Sequence, residues 1–368
     1  MTASPSLVAA EEIKRFILSV LDRWGTPPAI ADLTADLMVQ TDLRGVDSHG
    51  VGMLPRYLEW YRAGFIRPAA EPRVERDEGP TALIDANQAF GHYASTLAME
   101  LCLAKARAHG VGFAAVHNSN HFGAAANYSM MALRHDMVGI SMTNGPWASV
   151  VPTFGRQALL ATNPLSVAVP GGTGAPYVLD MATSTVAIGK LSVASRWARP
   201  IPEGWALDAE GQPTTDPTVA LASRLLTPLG GTREGGSHKG YGLAVMVEIL
   251  AGVLSGAVYP EAQRRNPAEA SRANVGHFFG AIDIARFRPI ETFKADIDDL
   301  LQMLRNAPRV DGQERIYVAG EPEWECAERR RREGVPLAPG LVAQLRHVAA
   351  ETGVPFTLDA AAGARERA

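Results

Sequence analysis

Pro170-Gly171-Gly172-Thr173-Gly174-Ala175-Pro176, preceded by Leu165 to Val169 and followed by Tyr177-Val178-Leu179-Asp180, is the stretch on which the fold turns. A glycine-rich turn leaving a strand is where a dinucleotide-binding fingerprint sits, provided that a helix follows and aims free N–H groups at a pyrophosphate. Here the segment after the glycines is strand-like, so the stretch predicts a hairpin turn. Gly231 to Lys239 carries the glycines and the lysine of a phosphate loop without its spacing. On motif grammar the chain is neither a Rossmann nor a P-loop protein.

Outward from that hairpin, short strands alternate with helices. Leu159-Leu160, Leu165 to Val169 and Tyr177 to Leu179 read as three strands. Val111 to His117 and Met137 to Met142 are apolar runs without polar alternation, the pattern of strands buried on both faces. His92 to His109 is an Ala- and Leu-rich helix, and a second Ala-rich helix runs through Leu133. Strands around Val74 and Ala82 to Ile84 flank the turn cluster Asp77-Glu78-Gly79-Pro80. Near the N-terminus, Leu7 to Trp24 sets Ile13, Phe16, Ile17 and Val20 on one helical stripe; helices at Ile30 to Asp42 and Val51 to Arg62 follow.

Downstream, Ser192 to Leu229 is rich in Pro, Thr and Asp and reads as a long surface excursion. Gly240 to Val258 reads as a buried apolar helix, Gly276 to Ile284 as a late strand, and Glu291 to Arg305 and Leu341 to Glu351 as closing helices. Ala360 to Ala368 is expected to fray. This order predicts an α/β (α+β) fold with a mixed sheet core and helical N- and C-terminal portions. Residues 1–75 with 285–368 are expected to form the helical portion, and 76–284 the sheet domain.

Composition narrows the function classes. With 46% hydrophobic residues, 20% charged residues and a net charge of −4, the 368-residue chain is neither largely disordered nor a basic nucleic-acid binder. Its 35 glycines and 25 prolines fall between elements, as punctuation. Cys102 and Cys326 lie in helix-like contexts and read as buried thiols. Met1 to Val8 lacks the basic start and apolar core of a secretory signal, and Glu248 interrupts the most apolar helix. A cytoplasmic protein with no membrane partner is expected.

Three clusters can carry chemistry. His117 and His121 stand four apart, a spacing that on a helix could present both rings to zinc, but Asn118-Ser119-Asn120 between them are poor helix formers and no glutamate supplies a base. The alternative is a polar loop leaving a buried strand, a common place for reactive groups. Asp47-Ser48-His49-Gly50, between two helices, is either a capping corner or a hydroxyl–imidazole proton relay. Ser237-His238-Lys239-Gly240-Tyr241-Gly242 opens the apolar helix; Lys239 is either an anion site at a helix start or an ordinary solvated lysine.

Six stretches, in order, together resemble the malate/L-lactate dehydrogenase superfamily of the non-Rossmann type, whose relatives include ureidoglycolate and sulfolactate dehydrogenases and Δ1-piperideine-2-carboxylate reductase. They are Asp47 to Val51, His117 to Gly123, Gly139 to Asn144, Ala161 to Leu165, Leu179 to Thr183 and Lys239 to Leu243. The resemblance implies a nicotinamide cofactor, NAD or NADP, bound by the sheet domain without the usual fingerprint. It also implies a small carboxylate substrate and a homodimer.

By the same resemblance, His121 exchanges a proton with the substrate, Ser48 and His49 are the substrate-side pair, and Asp180 lies beside the nicotinamide. His121 and Asp180, together with Gly145, Met181, Ala182, Lys239 and, on a looser match, Asp283, are implied cofactor contacts. One place departs from the pattern. Hydroxyacid members often carry an arginine where this chain has Met53. Arg56 or Arg44 is the candidate replacement for gripping a carboxylate, with Tyr57 as a neighbouring substrate contact. The implied reaction is hydride transfer between NAD(P) and a 2-hydroxy or 2-oxo acid. Reduction of a cyclic imino acid, or of a 2-oxo acid with an amine, is the alternative within the family, and a metal-dependent hydrolase using His117 and His121 the alternative outside it.

Overall fold

In a computed structural model describing residues 6–145, 147–196, 198–259 and 273–358, the glycine stretch is a hairpin turn. It joins β6 (Leu165–Val169) to β7 (Tyr177–Met181), which pair antiparallel with Val169 opposite Tyr177. The N–H groups of Gly172 and Thr173 do bind an anion, but an internal one. Each donates at 2.9 Å to the Asp298 carboxylate, and the Thr173 hydroxyl adds a third bond at 3.0 Å. A Cβ at Gly172 would stand 2.7 Å from Asp298 Oδ2, so a side chain there would push the carboxylate aside.

These two strands end a seven-stranded sheet. From the other edge it runs β2 (Arg73–Glu78), β3 (Thr81–Asp85), β4 (Val111–Ser119), β11 (Val275–Asp283), β5 (Met137–Thr143), then β6 and β7. Only β3 and β4 pair in parallel; the other neighbours are antiparallel. The sheet is mixed, as its sequence pattern predicts. β2 is an exposed strand rich in charge, as an unprotected edge requires. At the opposite edge, Val178 N–H donates to Ala319 at 3.1 Å, so a loop from the C-terminal region covers part of β7.

Helix α4 (Gly91–His109) packs on the sheet through Ala94, Ala98, Met99 and Cys102. A second core unites α1 (Ala10–Arg23), α2 (Pro28–Leu43) and α3 (Leu54–Arg62) with C-terminal segments, among them the short strand pair β1 (Ser6–Val8) and β12 (Val335–Leu337). The N-terminal and C-terminal helices therefore share one apolar interior.

Several expectations are corrected. Ser192 to Leu229 is not a bare surface excursion. Around it fold α6 (Ile188–Arg196), α7 (Pro217–Ser223) and a small sheet of β8 (Ala206–Leu207), β9 (Pro213–Thr214) and β10 (Leu225–Leu226). Its core draws Val150, Leu160, Val186, Leu191, Ile201, Ala206, Ala220, Leu226 and Ala244 from distant segments, so no local periodicity announces it. Leu160 makes an isolated bridge to Val150 and no strand. The second Ala-rich helix is the short α5 (Ala126–Ser129) followed by a 3-10 turn through His135.

The apolar helix is α8 (Ser237–Val247) running into a π-helical turn, Glu248–Val253. No helix among the described residues is long and apolar enough to cross a membrane. The late strand and both closing helices, α9 (Ile290–Arg305) and α11 (Pro339–Thr352), stand where expected. Between the last two lies an unforeseen helix, α10 (Glu321–Glu333). It is too polar for a hydrophobic stripe, though acids in its first turn and arginines in its last match the helix dipole. The expected frayed end, Ala360 to Ala368, lies outside the described residues.

Candidate active site

The corner after β4 is fixed residue by residue. Asn118 N–H donates to Asn274 Oδ1 at 2.7 Å, and its amide donates to Asp85 at 2.8 Å. Asn120 Nδ2 donates to the carbonyls of Phe65, Gln88 and Ala89 at 2.9, 3.0 and 3.0 Å. Ser119 Oγ lies 2.8 Å from Nε2 of buried His277, whose Nδ1 lies 2.8 Å from Thr143 Oγ1. Phe122 stacks on that ring at 4.7 Å, and burial pushes the His277 pKa down to about 3. The polar residues that disfavour a helix here are the clamps of a rigid loop.

What the loop presents is His121. Its Nδ1 lies 2.8 Å from the Tyr57 hydroxyl of α3 and accepts from Gly123 N–H at 3.3 Å. Burial, and then its imidazole neighbours, pull its pKa well below the ordinary histidine value. His117 points elsewhere, to Glu75 at 3.0 Å. Among the described residues no group of three His, Cys, Asp or Glu side chains is placed to hold a metal.

Facing His121 is the Ser48-His49 corner. The two imidazoles lie 5.3 Å apart between ring centres, 29° from coplanar, and Ser48 Oγ is 2.7 Å from His49 Nδ1. The capping reading of Ser48 and Asp47 gives way to another acceptor: Asp42, at the end of α2, takes Val51 N–H at 2.8 Å. Burial raises the Asp42 pKa to about 7. Asp47 instead pairs with Arg330 of α10, which also donates to Asp42 O at 2.6 Å. Ser48 is thereby left to its histidine.

A cavity of about 570 Å3 opens beside this corner, lined by Arg44, Ser48, His49, Gly123, Val178 to Ala182, Lys190 and the loop Tyr317 to Gly320. Asp180 faces it, its Oδ2 accepting Ala126 N–H at 2.8 Å. Asp180 is exposed toward the cavity, and the desolvating surroundings raise its pKa to about 6, against the pull of that N–H and of Arg44.

Residues 8–346 match the malate/L-lactate dehydrogenase family. The chain belongs to that family. It is 40% identical to a malate dehydrogenase of Pyrococcus abyssi, over 94% of this chain and 95% of that one. It is 38% identical to an L-sulfolactate dehydrogenase of Methanothermobacter thermautotrophicus, over 94% and 97%. Its fold superposes on the crystal structure of malate dehydrogenase from Entamoeba histolytica with a TM-score of 0.90 at 34% identity, covering 97% of this chain and 99% of that one.

The malate/L-lactate dehydrogenase family implies a nicotinamide cofactor, and the cavity fits one. Val178, Leu179, Met181 and Ala182 give an apolar wall for a flat ring. Backbone groups alternate in direction along a strand. With Val178 N–H turned outward to Ala319, Asp180 turns its own N–H and C=O to the same free side of β7. A donor beside an acceptor suits a carboxamide.

The other family-matched residues divide. Asn144 and Asn163 have a structural role: their amides donate to buried Glu248 at 2.9 and 2.7 Å, tying the ends of β5 and of the loop before β6 to the π-helical turn. Gly145 follows Asn144, close against Ala161. Lys239 is exposed on the first turn of α8 and does not line this cavity. Asp283 is not brought to the site. It ends β11 opposite Met137, at the far end of the sheet from His121, and accepts Ala285 N–H at 3.1 Å.

Of the two candidate arginines, Arg56 is spent on Glu59 at 2.7 Å on the exposed side of α3, whereas Arg44 lines the cavity beside Asp180. Met53 packs against the N-terminal core. Tyr57, expected as a substrate contact, bonds His121 instead. Sequence reasoning missed His277, the wall Tyr317 to Gly320, and Trp60, which stands 6.2 Å from His121 and stacks on Trp147 at 4.9 Å. Aromatic residues beside a reactive loop leave no spacing signal.

Proposed function

We propose that this protein is a nicotinamide-dependent dehydrogenase of a small 2-hydroxy acid, working with NAD or NADP, with His121 as the proton-exchanging group. The observation that carries the reading is His121 itself. It is half-buried, held through Nδ1, makes no hydrogen bond through Nε2 to any described residue, and stands against His49 and Gly123, which line a cavity whose wall suits a nicotinamide. The bound cofactor supplies the hydride chemistry. Nε2 of His121 exchanges the proton of the substrate oxygen, and the Ser48–His49 pair beside it passes that proton onward. Arg44 grips the substrate carboxylate, in the role left vacant by Met53. Met181 and Ala182 support the nicotinamide face, and the clamps on residues 118–120 hold the geometry in which orientation accelerates the reaction.

One observation favours a second reading. With a pKa raised to about 6, Asp180 is protonated under mildly acidic conditions and is able to supply that proton to an imine nitrogen, as reduction of a cyclic imino acid requires. Both readings are tested by one experiment: a steady-state panel of 2-hydroxy acids, 2-oxo acids and cyclic imines with each cofactor, followed by nicotinamide absorbance. Turnover of 2-hydroxy and 2-oxo acids supports the first, turnover confined to imines the second, and no turnover of any acid with either cofactor overturns both.

The finer setting is a cytoplasmic homodimer. Unpaired Cys102 and Cys326 suit a reducing compartment. The exposed stripe Met246, Ile249, Val253 and Leu254, along α8 and its π-helical turn, is the kind of apolar face a second copy covers.

A further inference from the structure

We infer that Tyr57 is a positioning residue that sets the tautomer of His121, holding Nδ1 as an acceptor and leaving the proton on Nε2. The inference rests on His121 being the proton-exchanging group and names what prepares it. Tyr57 is 1% exposed, and among the described residues its hydroxyl has one partner, His121 Nδ1, at 2.8 Å. A phenol buried among apolar groups does not ionise; burial moves its pKa far upward, so its O–H remains a donor.

Gly123 supplies the second vote. A backbone N–H only donates, and this one points at the same nitrogen from 3.3 Å. The glycine is required for that approach: its φ is +77°, and a Cβ would stand 2.9 Å from His92 Nε2. Two donors directed at one ring nitrogen exclude a proton from it. A neutral His121 therefore carries its proton on Nε2, the nitrogen that makes no bond to a described residue.

The groups packed around the ring reinforce the neutral form. Tyr57 and Trp60 come from α3, His49 from the Ser48 corner, His92 from α4 and His277 from β11. None of them is an acid that would stabilise an imidazolium. The consequence concerns which substrate the resting enzyme meets. An Nε2–H imidazole donates to the carbonyl oxygen of a 2-oxo acid. The base that a 2-hydroxy acid needs is the other tautomer, which forms only when Nε2 gives a proton to solvent, Nδ1 takes one from it, and the Tyr57 O–H turns away so that its oxygen accepts from Nδ1. Tyr57 thus prepares the site for the oxo acid and makes the hydroxy acid wait for a rearranged hydrogen bond.

The test is 15N NMR of the full-length protein with labelled histidine, the His121 signals being assigned by their loss in His121→Gln. The expected wild-type pattern is an unprotonated Nδ1 and a protonated Nε2, and Tyr57→Phe should move both toward the tautomeric average. Unchanged His92 and His277 signals establish that the variant is folded. Should it fail to fold, 3-fluorotyrosine at position 57 keeps the hydroxyl as a stronger donor and should drive His121 further to the Nε2–H form. Alongside, Tyr57→Phe should weaken binding of oxamate, an unreactive 2-oxo acid isostere, about tenfold in the presence of reduced cofactor.

A protonated Nδ1 in the wild type, or a tautomer that responds to neither change at Tyr57, overturns the inference. If the tautomer moves as expected while His121→Gln retains turnover, the control by Tyr57 stands and the acid–base reading of His121 falls instead.

Discussion

The corner after β4 and the turn between β6 and β7 are both short, carry glycine and lie at strand ends of one sheet, yet they direct their polar groups oppositely. In residues 170–176 the backbone donors close on a carboxylate of the same chain, Asp298, so the nest is already filled. In residues 118–123 the donors of Asn118, Asn120 and Gly123 and the Ser119 hydroxyl are bonded to neighbours, while His121 Nε2 has no partner among the described residues. An anion-binding shape in a turn is thus no guide to a ligand until its occupant is known. A loop whose neighbours hold a reactive ring by one nitrogen and leave the other without a partner is a better guide.

The largest test of that contrast removes the leftover group. His121→Ala should lower kcat by roughly 10²–10⁴-fold, the usual share of general acid–base help, while fluorescence titration finds cofactor affinity unchanged. A near-wild-type rate would make the corner after β4 mere scaffold, like the hairpin.

Next in size is the choice of arginine. Arg44→Met should cut kcat/KM for the acid substrate about 10- to 100-fold, chiefly through KM, as loss of a charge-assisted contact does. Arg56→Met should leave both parameters alone, because its partner is Glu59 on the outside of α3. Equal effects from the two variants would remove Arg44 from the substrate's neighbourhood.

A matched pair of glycine changes then sets the two loops side by side. Gly123→Ala places a Cβ against His92 at a φ of +77° and disturbs the N–H that faces His121. It should cost about 1–3 kcal/mol of stability and lower kcat as well. Gly172→Ala presses on Asp298 and should lower the melting temperature with kcat intact. If Gly172→Ala also slows turnover, the hairpin belongs to the site.

How much of this was legible in the sequence follows from what kind of signal each residue leaves. The hairpin could be read because a strand pattern resumes at Tyr177, and His121, Ser48 and His49 stand out as polar corners between elements, whereas Asp180 came only through the family resemblance. The choice between Arg44 and Arg56 could not be read. Arg56 and Tyr57 are adjacent on α3, about 100° apart around its axis, so one faces the core while the other faces solvent. His277 lies inside an apolar strand, and its bonds to Ser119 and Thr143 join segments more than a hundred residues apart. The lobe around Ser192 to Leu229 stayed hidden because its apolar residues converge from six segments with no shared period.

The smallest effect belongs to the filled nest. Asp298 is held below the usual carboxylate range, first by Gly172 N–H and then by Thr173 against a modest cost of burial. An acid with a depressed folded pKa stabilises the fold above its unfolded value of about 3.9, and that contribution disappears as pH falls through the folded value. Asp298→Asn keeps one acceptor oxygen and loses the other along with the charge. It should therefore lower the melting temperature at pH 7, by an amount that solvent screening limits to the equivalent of about 1 kcal/mol or less. The two melting curves should converge as pH falls below the depressed folded value of Asp298, where the wild-type carboxyl is protonated as well. Turnover should not change at any pH where both proteins are folded, since no atom of this nest lines the cavity. A persistent gap at low pH would mean that the side chain acts through packing rather than through its charge. A loss of turnover would join the hairpin to the corner after β4 and end the distinction between them.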